Sequence, residues 1–132
     1  MKFKRYCKTL TLKRDEKLIE SYKEVHAMGK AWPEVTAGMK EVGILDMEIY
    51  IHQNSLFMIM DTQLDFDHDK AMKKLATLPR QQEWEQFVSR FQQTDTASSA
   101  EEKWQLMERI YEMDQTATYP AAEGQIKPAS TQ

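Results

Sequence analysis

Tyr22 and His26, in the run Tyr22-Lys-Glu-Val-His26, are the first residues whose types and spacing could do chemistry. Residues four apart on a helix lie one above the other on the same face, so a phenolic hydroxyl and an imidazole would share one patch. Imidazole is the side chain that takes up and releases protons near neutral pH. Trp32-Pro33-Glu34 then reads as a sharp entry into a second helix. Proline at a first helical position loses no hydrogen bond, and the carboxylate after it suits the positive helix end. Hydroxyl, imidazole and indole converge on one small region, and the chemistry within their reach is proton transfer.

The other polar candidates have plainer readings. His52 and His68 are expected as exposed residues at a strand end and a helix start. Asp65, Asp67 and Asp69 alternate as in a calcium loop, but the glycine and distal glutamate of an EF-hand are missing, so they read as helix-start acids. Cys7 is the single cysteine, which excludes an intrachain disulfide and a cysteine-based zinc site and suits a reducing compartment. No metal site is expected.

Composition narrows the function classes. With 132 residues, 41% hydrophobic and 30% charged, the chain fits one compact domain with a real core. A net charge of -3 gives no basic footprint for a phosphate backbone, which argues against nucleic acid. The basic start Met1-Lys2-Phe3-Lys4-Arg5 is not followed by the apolar stretch of a secretory signal. No segment approaches the roughly 20 apolar residues that span a bilayer. The expectation is a soluble, cytoplasmic protein without a membrane partner.

The elements that must hold Tyr22 and His26 follow from periodicity. Residues 3–12 suit a strand. From Asp15, the positions Leu18, Tyr22 and Val25, with Ile19 beside them, recur at helical spacing until Gly29. Val35, Met39 and Val42 repeat the pattern after Pro33, with Gly43 at the cap. Leu45, Met47, Ile49 and Ile51 then alternate with Asp46, Glu48, Tyr50 and His52, as in a strand with one buried face. Gln53-Asn54-Ser55 turns into Leu56-Phe57-Met58-Ile59-Met60, making an antiparallel hairpin. Residues 65–78 return to helical spacing through Met72, Leu75 and Leu78. Pro79 breaks that helix, and Trp84, Phe87, Val88 and Phe91 mark another. Residues 101–113 are ambiguous, since Ser98 and Glu101 resemble a capping box whereas the apolar groups from Trp104 to Met113 suit either strand face. Residues 1–114 form the domain, and 115–132 read as a polar, flexible tail.

This order describes an α+β domain, a four-stranded antiparallel sheet with helices on one face. The other face would be bare, and a homodimer packed sheet on sheet is the natural remedy.

The ordered set Tyr22-x-x-x-His26, Trp32-Pro33-Glu34, Gly43 and the hairpin with Ile49-Tyr50 and Leu56-Phe57 resembles the L-rhamnose mutarotase family of sugar anomerases, from about Phe3 to Met113. The resemblance implies a ferredoxin-like subunit, a dimeric α+β barrel, and a final strand that settles residues 101–113 as β. It implies interconversion of the α and β anomers of a 6-deoxyhexose without metal or organic cofactor. It assigns the proton-donor role to His26 and sugar binding to Tyr22, with Trp84 matching the second of two adjacent family tryptophans and Trp32 counted among the substrate-binding positions. Glu83 stands where the first of those tryptophans would be, and Met47 where the rhamnose enzymes have a sugar-contacting tyrosine. Both are counted as substrate-binding positions, and their change moves the expected sugar towards a related 6-deoxyhexose such as L-fucose, with L-rhamnose kept open. Two other classes compete. One is a small cofactor-free monooxygenase-like enzyme on the same scaffold. The other is a noncatalytic sugar-binding or interaction domain, suggested by nine methionines.

Overall fold

The computed structural model describes residues 3–27, 29–93, 103–111 and 113. The chain runs β1 (Lys4–Thr11), α1 (Glu16–Val25), α2 (Pro33–Glu41), β2 (Ile44–His52), β3 (Ser55–Thr62), α3 (His68–Leu75), α4 (Gln81–Ser89) and β4 (Gln105–Leu106). The four strands form one antiparallel sheet in the order β2-β3-β1-β4. That is the ferredoxin-like arrangement, with a helix pair in each crossover. Of the strand expected over 101–113, only Gln105–Leu106 forms among the described residues, as β4, paired through Lys8↔Leu106 and followed by the Met107 amide donating to the Cys7 carbonyl, while Lys103 and Trp104 before it are not strand. Ser98, Glu101 and the tail from 115 lie outside the described residues.

Strand alternation sorts the sheet into two faces. Tyr6, Lys8 and Leu10 of β1 and Leu56, Met58, Met60 and Thr62 of β3 are buried on one. Tyr22, Val35, Trp84, Val88 and Phe91 pack onto that face and complete the core. Arg5, Cys7, Thr9, Phe57, Ile59 and Asp61 alternate onto the other face, where none is fully buried.

Local chemistry sets the element ends. The Asp15 carboxylate accepts from the amides of Lys17 and Leu18, capping α1. Trp32 ends in extended backbone and Pro33 starts α2. Gly43, at φ 105, turns the chain from α2 into β2, a conformation that L side chains rarely adopt. The hairpin turns on Gln53 at φ 57 and on buried Asn54, whose amide side chain donates to the Leu12 carbonyl at 3.0 Å. One detail departs from simple alternation. The β2–β3 register shifts between Ile44 and Asp46, so Ile44 takes the buried place and Leu45 is left 41% exposed. Such an extra residue locally re-aims the strand.

Candidate active site

His26 is the C-cap of α1, one turn beyond Tyr22. Its Nδ1 lies 2.8 Å from the Tyr22 carbonyl oxygen. A carbonyl can only accept, so Nδ1 carries the proton and Nε2 keeps the lone pair. Burial depresses the imidazole pKa below 6.5, with the Tyr22 carbonyl bond opposing. At neutral pH the ring is therefore a fixed, uncharged tautomer with a basic Nε2. The phenol ring of Tyr22 stands edge-on to it, centroids 4.1 Å apart. Burial raises the Tyr22 hydroxyl far above its usual range, while a hydrogen bond donated by Gln92 works the other way. This phenol is a neutral hydrogen-bonding group, not an anion. Gln92 is held where the chain after α4 rejoins the sheet, by its bridge to Leu12.

An aromatic wall continues from the imidazole. The Trp84 ring lies 5.3 Å from that of His26, and Trp32 lies 5.2 Å from Trp84. The Arg80 guanidinium sits 4.1 Å over Trp32 and is held between Glu34 and Glu83 at 3.5 and 3.7 Å.

Tyr22, His26, Trp32 and Trp84 line a cavity of about 410 Å³ between the sheet and the helices, together with Met47, Met58, Met60 and Trp104. Its size is typical of small-molecule sites. One end is polar. Gln81 donates to Glu85 Oε2 at 2.6 Å, and Lys103 Nζ reaches Glu85 Oε1 at 3.1 Å, the Glu85 carbonyl at 2.7 Å and Ser89 Oγ at 2.8 Å. The Lys103 side chain is fully buried. Burial lifts the Glu85 carboxyl above its ordinary range, with Lys103 and Gln81 pulling it down. The Gln81 and Gln92 carboxamide oxygens are buried without a hydrogen-bond partner. A fixed base, flat apolar surfaces and buried acceptors suit proton transfer on a small polyhydroxylated molecule.

Comparison with known proteins agrees with this geometry. The family profile described as L-rhamnose mutarotase matches residues 5–113. The chain belongs to the L-rhamnose mutarotase family. Among its curated relatives, an L-fucose mutarotase of Xanthomonas campestris pv. campestris is 33% identical over 118 residues, covering 89% of this chain and 94% of that one. The UPF0734 protein of Dictyostelium discoideum is 32% identical over 116 residues, 85% of this chain and 91% of its own. The crystal structure of an L-rhamnose mutarotase from Formosa agariphila superposes with a TM-score of 0.61 at 23% identity, covering 83% of this chain and 98% of that chain. That likeness is one of fold.

Of the positions that the mutarotase resemblance singled out, His26, Tyr22, Met47, Trp84 and Trp32 all line the one cavity. Glu83 does not. Its exposed carboxylate faces Arg80, because residues two apart on a helix point about 200° away from each other and Glu85 takes the inward side. Lys8, Gln81, Glu85, Gln92 and Trp104 also line the cavity and were not anticipated. Only Lys8 carried a signal, since strand alternation puts it in phase with Tyr6 and Leu10. Among the described residues no three His, Cys, Asp or Glu side chains gather as metal ligands, and no helix is long and apolar enough to cross a membrane.

Proposed function

We propose that this protein interconverts the α and β anomers of a 6-deoxyhexose, with L-fucose preferred over L-rhamnose. The observation that carries the reading is the His26 tautomer: the Nδ1 bond to the Tyr22 carbonyl leaves Nε2 as a base inside a cavity walled by indole rings. Ring opening removes the proton from the anomeric hydroxyl and delivers one to the ring oxygen. His26 Nε2 takes the first of these, and the imidazolium so formed returns it to the aldehyde oxygen when the ring recloses on the other carbonyl face. Trp84 and Trp32 offer flat surfaces to the C–H face of the sugar. The Tyr22 hydroxyl and the open acceptors of Gln81 and Gln92 serve its hydroxyls.

The choice of sugar rests on Met47, which lines the cavity where the rhamnose enzymes have a tyrosine, and on the L-fucose mutarotase among the relatives. Anomer-resolved NMR exchange across several 6-deoxyhexoses tests both parts. Exchange should be fastest with L-fucose, and His26→Ala should slow it by about 10²- to 10⁴-fold, the usual worth of a positioned acid or base. A His26→Ala enzyme that exchanges anomers at the wild-type rate removes this mechanism.

The same reading includes a cytoplasmic homodimer closed through the open sheet face. Phe57, Ile59 and Cys7 at its centre are only half-buried, and Tyr50 beside them is 54% exposed. Light scattering at micromolar concentration should give the mass of two chains; the mass of one chain rules the dimer out.

A further inference from the structure

Mutarotation needs two proton-transfer groups, and His26 is one. We propose that Glu85, facing the cavity from α4 and held there by Gln81 and Lys103, is the other. The inference rests on the mutarotase reading above. Glu85 lines the same 410 Å³ cavity as His26 and directly follows Trp84, whose ring stands 5.3 Å from the imidazole. Its two carboxylate oxygens are fixed separately, Oε2 by Gln81 and Oε1 by Lys103, so the group is oriented yet each oxygen retains a lone pair for a ligand. Lys103 spends its contacts on the Glu85 carboxylate, the Glu85 carbonyl and Ser89, so its charge serves this one carboxyl. A carboxyl buried beside a lysine is a costly way to hold a helix, and such perturbed groups concentrate at functional sites.

The proton cycle closes with these two groups. His26 Nε2 takes the proton of the O1 hydroxyl as the C1–O5 bond breaks, and the Glu85 carboxyl gives its proton to O5. The open-chain aldehyde then lies between an imidazolium and a carboxylate. After rotation about C1–C2, the carboxylate retrieves the O5 proton as O5 attacks the other face of C1, and the imidazolium returns its proton to O1. Nothing is oxidised or reduced. The cycle begins with His26 neutral and Glu85 carrying a proton: burial raises the Glu85 carboxyl against the opposing pull of Lys103 and Gln81, and burial lowers His26. Lys103 from the segment before β4 steadies the carboxylate formed midway, while Tyr22 from α1, Lys8 from β1, Lys40 from α2 and Asp46 from β2 complete the titratable lining.

The test is anomer exchange by wild type, Glu85→Gln, and Glu85→Gln combined with Lys103→Met, since the single change strands a buried ammonium and can prevent folding. Sugar affinity is read in parallel from the fluorescence of the cavity tryptophans. Both variants should lose about 10²- to 10⁴-fold in kcat, keep the wild-type affinity within a few-fold, and lose one limb of the pH profile. A folded variant that keeps more than about a third of the wild-type rate overturns the role of Glu85 while leaving the mutarotase reading standing. So does a variant that loses affinity in step with rate, which marks a structural carboxylate. A wild-type protein that exchanges none of the sugars overturns both.

Discussion

A single hydrogen bond decides how His26 can act. Because Nδ1–H is committed to the Tyr22 carbonyl, protonation must occur at Nε2, on the side where burial opposes charge. The acid limb of kcat/KM should therefore fall below pH 6.5, and a limb at or above 6.5 contradicts the assignment of that limb to a buried His26. Stability should follow the same sign. With the folded pKa depressed, the contribution is present above 6.5 and is lost as pH falls through the folded value, because the unfolded chain binds the proton first. Urea midpoints measured from pH 7.5 downwards should decline, and the decline should shrink in His26→Phe. Met47 and Glu83 separate on similar grounds. Met47→Tyr should move the ranking of sugars towards L-rhamnose, whereas Glu83→Gln should leave it unchanged, since Glu83 touches Arg80 and not the cavity. Tyr22 and His26 were legible in the sequence because four-residue spacing fixes a shared helix face. Glu85 was not, because an acid beside an apolar stripe ordinarily faces water and only the partner Lys103, far along the chain, marks it as buried.

At the level of elements, α1 matters most, since it ends at His26, the proposed base, and its N-cap sets its start. Asp15 accepts from two orphan amides there, so Asp15→Ala should cost about 1 kcal/mol in chemical denaturation. The loss should appear in stability with little change in kcat, as the cap is at the far end of the helix from His26. The strands, helices and hairpin were readable from period and turn residues. The bulge at Leu45 was not, because Ile44 and Leu45 are equally apolar and nothing local says which is buried. β4 was ambiguous for a related reason: it is two residues long, and its identity comes from pairing with β1 and not from its own pattern.

For the whole molecule, the site draws on nearly every part of the chain: Lys8 from β1, Tyr22 and His26 from α1, Trp32 before α2, Met47 from β2, the inward side of α4, and Trp104 with Lys103 just before β4. That last contribution has a consequence for the protein as it is made. A ribosome delivers residues in order, and a nascent chain that has emerged only as far as α4 already has β1, β3 and β2 to pair and most of its core to bury. It has no Lys103 opposite Glu85 and no Trp104 over the cavity. The final pairing joins Lys8 to Leu106, almost the longest sequence separation in the fold, and contacts of that kind form late. An abandoned translation product can therefore resemble the finished chain in most of its structure and still hold a half-built cavity, so turnover of the sugar is expected only from chains whose synthesis has passed β4.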